Sequence, residues 1–333
     1  MLLDKDFVKR VLSVPSYTGH EQRVREFILS WASEHSVETM CDDAGNVYLT
    51  KGSVGDGEYF PCLTSHMDTV HTKNIEHVDN DEPLEIIEAE DDVFYCSDGI
   101  GGDDKAGIAI CLSLVEKLDV VKACFFVEEE PGCLGSERLC EDWFNDVGYC
   151  VAYDSPGYNR SAYACSGVML FDRQFFSEHV EPLFSKFGVT NFRSEPCTDI
   201  ENIRLKVGVA CVNIGAGYHN NHTYSEFCDF VEMEGLANLG LEFINSLGMT
   251  RFAIPCSDKK YDFDNEEYKY FSTRFDEFGM AASNDYAEAL SGAESSLIEL
   301  YYEIMSICDE NDIDFSLFEG TLNRHISNVF YGR

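Results

Sequence analysis

Apolar runs that stop abruptly at histidine or acidic residues recur along this chain, and they constrain its fold more tightly than any bulk property. Residues 59–64 run into Ser65-His66-Met67-Asp68, residues 123–127 lead to Glu129-Glu130, and residues 149–153 end at Asp154. Residues 209–214 lead on towards His219-Asn220-Asn221-His222, and Asp103-Asp104-Lys105 follows a glycine turn at residues 99–102. Short apolar runs bounded by turn signals read as buried strands. The segments between them have helical spacing: Val24, Phe27, Ile28 and Trp31 share one face of residues 21–35, opened by a capping box at Thr18-Gly19-His20-Glu21. Strands alternating with helices predict an α/β chain, a three-layer αβα sandwich around a mostly parallel mixed sheet, with the polar clusters gathered at strand ends.

Further strands are expected at residues 37–40, 47–50 and 168–171. Helices are expected from the Asp103 cluster through Leu118, then over 136–144, 175–187, 199–206 and, as one long amphipathic element, 227–247. The lysine-free acidic stretch at 79–92 reads as a surface loop or hairpin. Beyond about residue 251 the composition turns to Tyr, Asp, Glu and Ser, with helical periodicity over 283–310. The expected division is a main domain over 1–250 and a mainly helical C-terminal extension over 251–333.

The 44% hydrophobic content of these 333 residues is that of a globular protein. A formal net charge of −37 opposes binding to nucleic acid or anionic membranes. No apolar stretch approaches a bilayer-spanning length, and the N-terminal residues do not read as a secretory signal. The 14 cysteines are scattered, several lie inside strand-like runs, and none forms a C-x-x-C pair. Reduced, buried thiols in a cytoplasmic protein are therefore expected.

Zinc takes imidazole nitrogen and carboxylate oxygen, and paired metal ions about 3.5–4 Å apart commonly share a carboxylate. On that chemistry His66, Asp103, Glu130, Asp154 and His222 form a five-ligand set. Asp68, two residues beyond His66, falls on the same side of an extended strand end, where it can accept the imidazole N–H and fix its tautomer. Glu129, next to a ligand glutamate, is the natural general base.

These residues resemble the co-catalytic zinc exopeptidases related to peptidase T, glutamate carboxypeptidase and the acyl-amino-acid deacylases. His66-Met67-Asp68-Thr69-Val70 is similar to that family's H-x-D-T-V signature, Gly102 to Gly107 to its bridging-aspartate motif, and Glu129-Glu130-Pro131-Gly132 to its E-E-x-G pair. Thr198-Asp199 and the run from Val212 to Tyr218 resemble the approach to its last ligand histidine, so the likeness spans roughly residues 8–245. The resemblance implies that His66, Asp103 and Asp154 hold one divalent ion and Asp103, Glu130 and His222 the other, with Asp103 bridging. Zinc is expected, with cobalt or manganese as alternatives. It further implies hydrolysis of peptide or N-acyl amide bonds, most simply by an aminopeptidase-like exopeptidase acting on short peptides. The alternatives are a carboxypeptidase or N-acyl-amino-acid deacylase that grips a carboxylate with Arg193 or Arg204, and a non-catalytic binding relative. Family members usually insert a lid and dimerisation domain between the positions of Asp154 and His222. Here only residues 155–221 intervene and they read as sandwich, so the lid is expected to be absent and the oligomeric state is left open.

Plainer readings stand beside these. Asp104 reads as a helix N-cap or first-turn acid. His219 competes with His222 for the ligand position and otherwise suits a substrate-binding donor. His71 and Glu226 read as supporting or structural groups. The turn at 99–102 lacks a phosphate-loop pattern, and the adjacent aspartates would repel phosphate.

Overall fold

A computed structural model describes residues 1–89, 92–254 and 265–275. The chain opens with α1 (Lys5–Leu12), capped by Asp4 through the Phe7 N–H at 2.7 Å, and α2 (Gln22–Glu34). The capping box expected at Thr18 does not form. The Thr18 hydroxyl donates to Asp68 at 2.8 Å, and Glu21 instead accepts the Gly19 N–H at 2.8 Å. Next come the antiparallel pair β1 (Glu38–Cys41) and β2 (Val47–Lys51), then β3 (Phe60–His66), buried at every position. The acidic stretch is a hairpin: α3 (Asn74–Asn80) precedes β4 (Ile87–Glu88), which pairs with β5 (Val93–Tyr95).

Helix α4 (Gly102–Lys117), β6 (Val121–Phe126) and the short α5 (Leu134–Glu137) follow. The helix expected at 136–144 is thus broken into α5 and a separate 3-10 turn at Glu141–Phe144. After β7 (Val147–Ser155) the chain forms β8 (Ser161–Cys165) and β9 (Val168–Met169). A helical run α6 (Arg173–Phe175), a π-type turn and α7 (Glu181–Lys186) come next. They lead to β10 (Phe192–Glu195), α8 (Asp199–Val207), β11 (Ala210–Gly215) and β12 (Tyr218–His219). Residues 227–247 are not one helix: β13 (Phe227–Asp229) comes first, and Asp229 then caps α9 (Phe230–Leu247) by accepting the Val231 and Glu232 N–H groups at 2.9 and 3.0 Å. α10 (Glu266–Phe275) returns to the sandwich, where buried Phe271 stacks on Tyr163 with ring centres 5.4 Å apart. The helix expected at 283–310 lies outside the described residues.

The main sheet runs β1-β2-β6-β3-β7-β11-β8-β10, with β9 on β8, and a smaller antiparallel sheet runs β12-β13-β5-β4. Strands β6, β3, β7 and β11 are mutually parallel, so their carboxyl ends open on the same edge. Helix α4 packs on β3, β6 and β7 with α1 and α9 against it, while α8 packs on β3, β7 and β11 with α5 against it. This is the expected αβα sandwich. Residues 155–221 build β8 to β12 and the helices between them, so no inserted domain separates Asp154 from His222. Close packing sets the depth of the site: a Cβ at Gly107 would lie 2.4 Å from the Tyr153 carbonyl, so only glycine lets α4 seat against the strand end that carries Asp154. No helix among the described residues is long and apolar enough to cross a membrane.

Candidate metal and catalytic site

Three of the five expected ligands lie at the carboxyl ends of parallel strands, where α/β sheets bind ligands, and two segments beside the smaller sheet supply the others. His66 ends β3 and Asp154 lies in β7. Glu130 follows β6 after Glu128, whose left-handed backbone (φ 52°) turns the chain back over the edge. His222, also left-handed (φ 62°), lies on the loop after β12. Asp103 sits ahead of the regular part of α4, and its peptide bond to Asp104 is cis.

Two groups form, His66-Asp103-Asp154 and Asp103-Glu130-His222, each with ligand atoms within 4.8 Å of one another. Asp103 belongs to both, one oxygen to each. Its Oδ1 is 3.1 Å from His66 Nε2, which is 3.6 Å from Asp154, while its Oδ2 is 3.2 Å from His222 Nε2, itself 3.1 Å from Glu130. Asp103 is steadied by its neighbours: its N–H donates to Glu226 at 2.8 Å, Glu226 contacts His71 at 2.7 Å, and Asn221 donates to Oδ2 at 2.9 Å. Asp68 has the orienting position. It faces His66 Nδ1 at 3.3 Å and also accepts the Glu129 and Glu130 N–H groups at 2.9 and 3.2 Å. It therefore ties the β3 and β6 loops together. Asp104 accepts the Gly107 N–H at 3.2 Å, the N-cap geometry expected of it, and its other oxygen accepts the His66 backbone N–H at 3.3 Å.

The electrostatics of the metal-free chain are those of crowded carboxylates. Burial pushes Glu130 up to about 7, against the opposing bond from His222, and Asp154 up to about 6, against that from His66. Burial, with the Asp154 charge behind it, pushes Glu129 well above the usual carboxylate range. Asp103 goes the other way: although burial opposes its charge, His222 and His66 hold it well below that range. His222 rises to about 11, burial being outweighed by Asp103 and Glu130. Glu130 Oε1 is buried without a hydrogen-bond partner. Buried acids this close cannot all ionise without cations, and an oxygen left without a donor is a place for one. The nitrogen and oxygen donors fit divalent ions.

Several residues fall elsewhere than the sequence suggested. The structure brings His222, not His219, to the cluster. His219 stacks on Phe227 with ring centres 4.8 Å apart, contacts Glu232 at 2.7 Å, and lines an open cleft of about 730 Å³ with Tyr158 and Asn159. Arg204 is not placed to hold a substrate carboxylate. It is buried near the end of α8 and donates to the Met169 and Ile254 carbonyls at 3.0 and 3.3 Å. Arg204→Ala is expected to lower stability by about 1–3 kcal/mol, the magnitude of a lost charged hydrogen bond and its orphaned acceptor, with KM unchanged. A raised KM at unchanged melting temperature would restore a substrate role. Asp199, which in the sequence belongs only to a run resembling the approach to the last ligand histidine, joins the site. It is buried at the start of α8, neither oxygen has a hydrogen-bond partner within 3.5 Å, and burial pushes it up to about 8 against the opposing His66 charge and nearby Ser136 hydroxyl. It is near enough for its charge to raise Glu129 further. An aspartate opening a helix looks like an ordinary first-turn acid, so the Thr198-Asp199 pair carries no site role of its own in the sequence.

No family model matches the chain. Over 174 residues it is 25% identical to the cytosol non-specific dipeptidase of Escherichia coli (strain K12), covering 50% of this chain and 36% of that protein. Over 66 residues it is 32% identical to the [LysW]-lysine hydrolase of Deinococcus radiodurans, covering 20% of this chain and 17% of that one. The chain thus spans well under half the length of these curated relatives. Among solved structures it superposes on aminopeptidase PepT from Bacillus cereus ATCC 10987 with a TM-score of 0.61 at 17% identity, covering 74% of this chain and 100% of that one. The chain has the fold of the peptidase T-like exopeptidases.

Proposed function

We propose that this chain is a metal-dependent exopeptidase of the aminopeptidase kind, releasing amino acids from short peptides in the cytoplasm. The observation that carries the reading is Asp103, which offers one oxygen to His66 and Asp154 and the other to His222 and Glu130. Peptidases among the similar proteins, a dipeptidase and an aminopeptidase, support it. His66, Asp103 and Asp154 would hold one divalent ion and Asp103, Glu130 and His222 the second, with zinc the best match to these donors and cobalt or manganese able to substitute. Bound there, such ions supply Lewis acidity towards a scissile carbonyl and lower the pKa of water.

The residues do the rest. Glu129, whose proton affinity is raised by burial, takes a proton from the attacking water and delivers it to the leaving amine. Asp68 holds His66 in the tautomer that leaves Nε2 free for metal, and keeps Glu129 in register through its backbone N–H. The carboxypeptidase alternative is weakened because Arg204 is committed to backbone carbonyls and Arg193 bonds Asn191 at 3.0 Å on the surface.

A matched pair of tripeptides, one free and one acetylated at its N-terminus, tests the reading with added zinc, cobalt or manganese. The free peptide is expected to lose its first residue at least about tenfold faster, the lower end of the discrimination that pocket contacts supply. Equal or faster cleavage of the acetylated peptide would favour a deacylase or carboxypeptidase. A chain that retains no divalent metal after reconstitution would favour a non-catalytic protein.

A further inference from the structure

A thiol pair that the proposed chemistry does not use lies against the base. Cys133 and Cys197 bring their sulfurs to 3.1 Å, and Cys133 Sγ is also 3.5 Å from Glu129 Oε1. Cys133 closes a tight turn in which it and Gly132 both donate N–H groups to the Glu129 carbonyl, at 2.6 and 2.8 Å. Cys197 lies two residues before Asp199, where α8 begins. The contact therefore joins the turn carrying Glu129 and Glu130 to the start of α8. Cys133 is buried, but Cys197 is partly exposed, so a reagent can reach the pair from one side. Cys62, Cys124 and Cys150, close together inside the sheet, are wholly buried and have no such access.

We propose that Cys133 and Cys197 form a reversible disulfide that turns the hydrolase off when disulfide oxidants accumulate; the loss of hydrolysis rests on the function proposed above, the bond itself does not. With glutathione disulfide as oxidant, the Cys197 thiolate attacks one glutathione sulfur. A Cys197–glutathione bond forms and the first glutathione leaves as thiolate, which takes up the proton that Cys197 lost. Cys133 then attacks the Cys197 sulfur, the protein disulfide forms, and the second glutathione leaves with the Cys133 proton. Two protein thiols are oxidised and one glutathione disulfide is reduced to two glutathiones. Reduced glutathione reverses both steps.

Closing the bond draws the sulfurs to about 2.05 Å and removes the S–H that faces the Glu129 carboxylate. Misplacing a catalytic group by about 1 Å can lower turnover about a hundredfold.

The test uses the full chain, metal-loaded, incubated with glutathione disulfide. Peptide mapping by mass spectrometry is expected to show a Cys133–Cys197 cross-link, with hydrolysis of a free tripeptide reduced at least about tenfold and restored by dithiothreitol. Cys197→Ser is expected to keep basal hydrolysis, form no cross-link and stay active after oxidant. Free thiols, or single glutathione adducts without a cross-link, would overturn the proposal. So would a cross-link that leaves the rate unchanged, or one that dithiothreitol opens only after denaturation. Because the cross-link is read by mass, its absence counts against the thiol pair whether or not hydrolysis is found. A reduced chain that hydrolyses no peptide overturns the proposed function alone.

Discussion

Glu129→Gln is expected to lower kcat by about 10³-fold, within the range attributed to general acid–base catalysis, while leaving metal content and KM nearly unchanged. Glutamine keeps the shape of the side chain and still accepts from Cys133, but it cannot take a proton from water. Glu129 is not among the residues that group as ligands, so metal retention is the control that separates loss of the base from collapse of the site. The variant should also be at least as stable as the parent when metal-free, because it removes one of several buried acids whose charges oppose each other. Turnover within tenfold of the parent would exclude Glu129 as the base. A simultaneous loss of metal would show that its carboxylate is a ligand instead.

Stripping the divalent metal is expected to abolish hydrolysis and to make stability fall as pH rises from about 5 to 8. The sign follows from three acids that are pushed up in the folded, metal-free chain: Asp154 to about 6, Glu130 to about 7 and Asp199 to about 8. Each keeps its proton to higher pH when folded than when unfolded, where carboxyls titrate near 4. Across this window the folded chain binds more protons, so the contribution present at low pH is lost as pH climbs through the folded values. The raised His222 acts in the same direction above its unfolded pKa near 6.5. Asp103 and Asp68, held below the usual range, are ionised in both states throughout the window and contribute no slope.

At Asp154, Glu130 and His222, metal ions take the place of those protons. Zinc at a thousand times its Kd adds about 4 kcal/mol, and the rise in melting temperature on adding it should be larger at pH 8 than at pH 5. Asp199→Asn separates this local effect from the general acidity of a chain with net charge −37. In the metal-free protein it should be more stable than the parent at pH 8 and flatten the slope. A metal-free melting temperature that climbs between pH 5 and 8 would contradict the account.

Much of the fold was legible because burial writes itself into composition at the central strands. β3, β6, β7 and β11 are buried on both faces, so their apolar runs are nearly unbroken and end where the backbone meets solvent. Elements defined by one side-chain hydrogen bond were not legible. Asp229 ends β13 and starts α9 within three residues, while Thr18 bonds Asp68 rather than its own helix, and neither choice alters the apolar period. The same limit applied in the site. Local sequence does not separate Arg204 from a substrate-binding arginine, and its contacts with Met169 and Ile254 do.

What the sequence determined by itself was the order of polar clusters at strand ends, because strand and helix periods are local properties of hydrophobic spacing. Which oxygen of Asp103 faces which histidine was decided only by tertiary structure. So was the choice of His222 over His219, and the meeting of Asp199 and the Cys133–Cys197 pair with Glu129. Those relations join residues tens of positions apart, and they exist only once parallel pairing of β6, β3, β7 and β11 has brought the ends of these strands to one edge, where the segments before α4 and α8 meet them.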